Sequence, residues 1–162
     1  MEFNFLSDKS LEAFWSNYAK SKIIWTKSFD KAICKSNENL NKNFEYKPNF
    51  KWFNNGIINL KKTLFSNKSA TSIAISYFAK NTCLNITYSN FLNSCSFYIK
   101  SILKKDINDR IMIIGSASPE TMTMITSSAL CGKCHCVLFE DLSVEAIICR
   151  VKLFEPSIIY IR

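Results

Sequence analysis

The sequence predicts an α/β fold in which a helical arm precedes a unit of alternating helices and short strands. Ser118 to Pro156 reads as helix, strand, helix, with one small turn between each pair. From residue 70 the helical stripe of the earlier segments gives way to short runs rich in β-formers, such as Ser72–Phe78 (SIAISYF). Hydrophobic residues make up 48% of the 162 residues, enough apolar surface to build a core and to argue against disorder.

The elements follow in order. Leu11, Phe14, Trp15 and Tyr18 fall at i, i+3, i+4 and i+7, the apolar stripe of an amphipathic helix with Glu12, Ser16 and Asn17 facing away. Ile23, Ile24 and Trp25 form a short anchor. Residues 35–49 are polar and asparagine-rich, end at Pro48, and read as a loop or extended arm. Phe50–Phe53 is an aromatic cluster, Asn54-Asn55-Gly56 is a turn, and Asn59 suits the cap of a short helix through Phe65. After the strand at 72–78, Asn81–Asn85 suits a turn and Ile86–Tyr88 a brief second strand. Phe91, Leu92, Cys95, Ile99 and Ile102 mark one face of a helix over 89–104. Arg110–Ile114 is a short apolar run, hence a buried strand. Ser118 is an N-cap with Pro119 at the first helical position and Glu120 at the positive end of the dipole. Met122, Ile125, Ala129 and Leu130 are expected on that helix's buried side, and Gly132 at its C-terminal cap. Cys136–Phe139 reads as the next strand. Ser143 caps a helix carrying Ile147, Val151 and Phe154, which Pro156 ends before a last strand over 157–161. Short apolar strands separated by helices imply parallel pairing through right-handed crossovers.

Composition bounds the function classes. No apolar run reaches the roughly 18 residues that cross a bilayer. The start, MEFNFLSDKS, lacks the basic and apolar regions of a secretory signal, so the expected location is cytoplasmic, with no membrane partner. The net charge of +8 comes from lysines spread along the chain beside Asn and Ile, the mix that an AT-rich genome encodes. There is no basic cluster, glycine–aromatic RNA signature or zinc-finger spacing, so no nucleic-acid partner is expected. Seven cysteines in such a chain read as reduced thiols, several of them in the core.

Cys131-Gly132-Lys133-Cys134-His135 matches the C-x-x-C-H pattern of haem attachment. It also fits a helix C-terminus, a glycine cap and a strand entry that happen to contain cysteines. With Cys136 the same knot brings zinc to mind, but a structural zinc site takes two separated ligand pairs and only one crowded group is present. His135, the single histidine, shows no nucleophile or orienting partner in sequence. No catalytic residue and no metal ligand is therefore expected. Glu140 and Asp141 follow a strand, where α/β sites lie, and suit either a cation site or a solvated turn before the next helix. The three glycines, Gly56, Gly115 and Gly132, sit in no phosphate-cradling spacing.

Three ordered segments carry a resemblance: Glu12-Ala13-Phe14-Trp15 through Ile24-Trp25-Thr26-Lys27; Phe50 through Leu60 (FKWFNNGIINL); and Ile86-Thr87-Tyr88, Asp109-Arg110-Ile111, Pro119-Glu120, Gly132, His135, Phe139, Ser143 and Arg150. In order and near spacing these are similar to the N-terminal region of the acetyl-CoA synthetase family, acyl-adenylate-forming ligases. The resemblance implies an α/β chain with an acetyl-CoA-synthetase-like N-terminal arm (1–68), followed by the first βαβαβ part of an adenylate-forming (AMP-binding) domain (69–162), truncated. The family joins acetate to ATP, then passes the acyl group to coenzyme A; related members take propionate or acetoacetate. Its cofactors are ATP, magnesium and coenzyme A. The phosphate loop, ATP-binding motifs and C-terminal lysine domain come later than Arg162, so the resemblance implies no cofactor in this chain and no activity of the chain alone.

Departures accompany the resemblance. Where the family has two glycines in the turn that approaches coenzyme A, this chain has Glu140 and Asp141. Their side chains would fill the space the ligand needs and their charges would repel its phosphates. The family's Lys-Gly-Asp turn is Ile107-Asn108-Asp109 here. A decayed gene, a split ligase and a repurposed interaction module all fit these features. In the last two, the expected partner is a second chain covering an exposed sheet edge.

Overall fold

The computed structural model describes residues 8–35, 50–104 and 109–162. The chain divides into two compact units, Met1–Ser66 and Asn67–Arg162. The first contains α1 (Asp8–Lys22), β1 (Trp25–Lys27), β2 (Ile33–Lys35), β3 (Phe50–Trp52), β4 (Ile57–Ile58) and α2 (Leu60–Phe65). β1 pairs antiparallel with β4, and β2 with β3. Its core is Ala19, Phe29 and Ala32, packed by Trp15, Ile23, Trp25, Ile33 and Phe53.

α1 is rolled relative to the expected stripe. Phe14 and Tyr18 lie half exposed, stacked on each other at 6.0 Å, while Ala19 is buried. Glu12, expected outward, turns in because its Oε1 accepts the Ala32 N–H at 3.0 Å, an amide that would otherwise lack a partner beside the core. The asparagine turn forms where expected, with Phe53 and Asn55 at positive φ. Gly56 is required by close approach: a Cβ there would lie 2.6 Å from the Trp25 ring. Asn59 caps α2 by accepting the Lys62 N–H at 3.0 Å. Of the expected polar arm, residues 36–49, with Pro48, lie outside the described residues.

The second unit begins with β5 (Ile73–Ala79) and β6 (Thr82–Thr87), then α3 (Tyr88–Leu103), β7 (Arg110–Ile114), α4 (Pro119–Leu130), β8 (Cys134–Leu138), α5 (Val144–Phe154) and β9 (Ile158–Ile161). β5 and β6 form an antiparallel hairpin in a sheet of their own, joined through Lys80 at φ 52°. The expected turn at 81–85 is therefore mostly strand. Asn85 reads as a turn former, yet in place its Oδ1 accepts the hydroxyl of its cross-strand neighbour Ser76 at 2.8 Å.

β7-α4-β8-α5-β9 is a βαβαβ run with all three strands parallel in the order β8-β7-β9. β7 is central and fully apolar after Arg110, as a strand covered on both faces must be. Ile111 and Ile113 pack with Ile102 of α3 and Met124 of α4; Met112 and Ile114 pack with Leu138 and with Ile147, Val151 and Phe154 of α5. The result is a helix–sheet–helix sandwich with β7 in the middle.

α4 corrects the predicted buried face. Met122 is exposed, and Ile125, Ala129 and Leu130 are only half-buried; the buried residues are Pro119, Thr121, Thr123, Met124, Ser127 and Ser128. Hydroxyls can be buried here because each bonds its own helix: Thr123 donates to Pro119 O at 2.7 Å, Ser127 to Thr123 O at 2.6 Å and Ser128 to Met124 O at 2.8 Å. Their small size lets α3 approach, and Ser127 also reaches Cys95 O at 3.3 Å. Of the seven cysteines, all free, only Cys95 is buried.

Candidate functional site

β7 ends on the loop Gly115–Ser118, beside the end of β8, where the Gly115 N–H donates to Leu138 O at 3.1 Å; this is the position at which open α/β sheets bind ligands. Ser118 caps α4, accepting the Thr121 N–H at 3.2 Å and donating its hydroxyl to Thr121 Oγ1 at 3.0 Å. A Cβ at Gly115 would lie 3.2 Å from Thr121 Oγ1, a tight approach, and in ordinary contact with Arg162.

Beside this loop lies a cavity of about 520 Å³. Its walls are Ala74–Tyr77 of β5, Gly115–Pro119, Thr121, Met122 and Ile125 of α4, and Val137 and Phe139 at the end of β8. The lining is largely apolar and holds no histidine, cysteine or carboxylate. The Ser118 and Thr121 hydroxyls are already bonded to each other. Such a chamber can take an apolar group, and Tyr77 is the one titratable side chain on its wall. Near the start of α4, Glu120 is paired with Arg162 at 3.0 Å.

Glu140 and Asp141 sit in the exposed turn between β8 and α5, next to the cavity-lining Phe139 but off the cavity wall. Ser143 caps α5 by accepting the Ala146 N–H at 3.2 Å. The Glu145 carboxyl is held below its usual range by its own backbone N–H and then by Ser143, against a smaller opposing desolvation. Three carboxylates thus gather at this turn and helix start. That arrangement suits the helix dipole and disfavours a phosphate.

The cysteine knot is spread along regular structure. Cys131 ends α4, and Gly132 at φ 69° and Lys133 close a Schellman turn onto Ala129 O and Ser128 O. Cys134 and His135 already belong to β8, opposite Arg110 and Ile111 of β7. Burial raises the Cys131 thiol, with Lys133 partly offsetting it. Among the described residues no three His, Cys, Asp or Glu side chains converge on a point that could hold a metal. Lys133 instead pairs with Asp109 at 2.7 Å, which lowers the Asp109 carboxyl.

The cavity walls carry no site motif in sequence. β5 has the pattern of a plain strand, and the one local signal is the run of small residues Gly115-Ser116-Ala117-Ser118 at the end of an apolar strand.

No family model matches the chain. It is 28% identical over 152 residues to acetyl-coenzyme A synthetase of Helicobacter pylori strain P12, covering 90% of this chain and 22% of that protein. It is 24% identical over 148 residues to the Cupriavidus necator acetyl-coenzyme A synthetase, covering 87% and 21%. Among solved structures, acetoacetyl-CoA synthetase from Streptomyces lividans superposes with a TM-score of 0.78 at 12% identity, over 94% of this chain and 23% of that one. Apo MatB from Rhodopseudomonas palustris gives 0.54 at 16% identity, over 62% and 20%. The chain spans about a fifth of the length of the curated relatives it matches. Over that span, its sequence resembles the acetyl-CoA synthetases and its fold is the α/β fold of acyl-CoA synthetases.

Proposed function

We propose that the chain supplies the N-terminal arm and first βαβαβ part of an AMP-forming acetate–CoA ligase, and that this stretch by itself activates no acid. The observation that carries the reading is the extent of the match: nine-tenths of this chain against about a fifth of acetyl-coenzyme A synthetase. The site chemistry supports it. The cavity beside the Gly115–Ser118 loop lacks titratable groups apart from Tyr77, and no glycine spacing cradles a triphosphate. In this reading ATP, magnesium and coenzyme A are held elsewhere in such a ligase, and Glu140 and Asp141 are not a coenzyme A contact. The protein works in the cytoplasm, away from nucleic acid and membranes.

Acetate-dependent exchange of pyrophosphate into ATP tests this directly. The purified chain should give no exchange above the protein-free rate, and acetate-dependent exchange by the chain alone would overturn the reading. A second reading, an interaction module or one half of a split acyl-CoA ligase, is favoured by the outer edges of β8 and β9, on which no strand pairs among the described residues. The same assay on the chain co-purified with a polypeptide encoded beside it separates the two.

A further inference from the structure

Asn55-Gly56 is the only asparagine–glycine step in the chain, and it lies in the turn that joins β3 to β4. A glycine after asparagine leaves the next amide nitrogen unshielded by a Cβ, so the carboxamide there is open to attack by its own backbone. The fold holds both reacting groups. The Asn55 Nδ2 donates to Asp30 Oδ2 at 2.7 Å, and since an ionised carboxylate only accepts, the amide nitrogen is the donor. The Gly56 N–H donates to Phe53 O at 3.0 Å. Gly56 has little room to swing, because a Cβ on it would meet the Trp25 ring at 2.6 Å. Three further bonds strap the turn to the segment carrying Asp30. The Asp30 N–H donates to Asn54 O at 3.0 Å, the Asn54 N–H to Lys31 O at 3.1 Å and the Phe53 N–H to Ala32 O at 2.8 Å. Asn55 itself is exposed to water.

We propose that Asn55 is a spontaneous modification site gated by the fold: the closed turn protects its carboxamide from deamidation, and a deamidated turn no longer closes. In the reaction Gly56 N loses its proton and attacks Asn55 Cγ; the Cγ–Nδ2 bond breaks and ammonia leaves, giving a cyclic imide. Water then opens one of the two imide C–N bonds, leaving aspartate or isoaspartate at position 55 with no oxidant or reductant involved. In the closed turn the attack requires the Gly56 N–H to leave Phe53 O and the carboxamide to leave Asp30. Modification therefore proceeds through the fraction of molecules in which the turn is open. The product closes the route back. Aspartate adopts the φ of 59° found at Asn55 as readily as asparagine does, so the backbone is not the obstacle. The obstacle is charge: a carboxylate replaces the donor that lies 2.7 Å from Asp30 Oδ2, exchanging a charge-assisted hydrogen bond for repulsion. Isoaspartate also adds a methylene to the main chain, which breaks the spacing of the strapping bonds. Phe53 and Gly56 pack on Trp25 and Phe29, so an open turn loosens the aromatic core of the first unit. The proposal stands whether or not the ligase reading holds.

Incubating the full chain at mildly alkaline pH, with and without urea, tests it. Deamidation at Asn55 is followed by peptide mass spectrometry, with an isotope-labelled peptide of residues 51–58 in the same tubes as the fully open reference. Relative to that peptide the folded chain should react at least about tenfold more slowly, and the urea-unfolded chain at the peptide's own rate. Asn55→Asp should lower the folding equilibrium constant at least about tenfold, read from tryptophan emission in a urea titration. Adding Asp30→Asn to that variant should restore most of the loss, because donor and carboxylate have then only changed sides. This rescue separates like-charge repulsion from a turn that tolerates no change at all. If Asn55→Asp does not fold, the double variant and the reaction rates of the unmodified chain still decide. Equal rates in the folded chain and the peptide, an Asn55→Asp chain as stable as the unmodified one, or no recovery in the double variant would each overturn the proposal.

Discussion

In the first unit three aromatic rings meet around two alanines: Trp25 and Phe29 at 4.9 Å, Phe29 and Phe53 at 5.2 Å, Trp25 and Phe53 at 5.6 Å. In the second, the fully buried aliphatic side chains Ile111, Met112 and Ile113 stand on one strand between two helical layers. A few large rings can enclose a small core with short two-stranded ladders. Their edge-to-face contacts depend on geometry, and a glycine must give way to a tryptophan. A parallel sheet does the opposite, spreading burial over many aliphatic contacts on two faces, so its central strand carries most of the load. All three tryptophans, Trp15, Trp25 and Trp52, lie in the first unit, so fluorescence reports on it while far-UV dichroism is dominated by the helices of the second.

That contrast can be broken experimentally. The largest effect is expected from Ile113→Ala, which leaves a cavity between α3, α4 and the sheet. It should lower stability by about 2–5 kcal/mol, read from the helical dichroism transition. A loss below about 1 kcal/mol would mean the sandwich relaxes around the hole, against the close packing inferred for β7. Gly56→Ala sharpens the other side. Its Cβ would meet the Trp25 ring at 2.6 Å and Phe29 Cβ at 3.1 Å. The cost should be about 1–3 kcal/mol, with a changed tryptophan emission. An unchanged emission maximum would show that the aromatic cluster is looser than its ring distances imply.

The smallest effect concerns the exposed Asp109–Lys133 pair beside the start of β7. Lys133 holds the Asp109 carboxyl below its ordinary range, first by hydrogen bond and then by charge. A lowered carboxylate contributes stability that is fully present above its unfolded pKa and lost as pH falls through the folded value. Denaturation midpoints of the unmodified chain should therefore drop below about pH 4. Asp109→Asn should flatten that acid limb slightly, and salt should do the same. An acid limb identical in the variant would remove the pair from the account.

Much of the second unit is legible in the sequence because its signals are local. Ser118, Pro119 and Gly132 mark the ends of α4, and Ser143 the start of α5. The run Arg110–Ile114 is apolar enough to demand burial on both faces. The faces of α1 and α4 depart from the hydropathy pattern for one shared reason: apolarity is not the measure of burial there. Glu12 and the serines and threonines of α4 are turned inward by hydrogen bonds to backbone, which no hydropathy pattern reveals. The cavity was equally invisible, because it joins β5 to the end of β8, about sixty residues away in sequence, and only packing brings them together.

The amino-acid order alone marks both ends of α4, the start of α5 and the strand β7, and implies that the last three strands run parallel. Caps, prolines and glycines act within a few residues, and a helix between two strands of one sheet leaves little choice of direction. Which hydroxyls could be buried, and where β5 and β6 turned back on themselves, were decided by the tertiary fold. Each depends on whether a distant backbone group or helix arrives to satisfy or shield the residue in question.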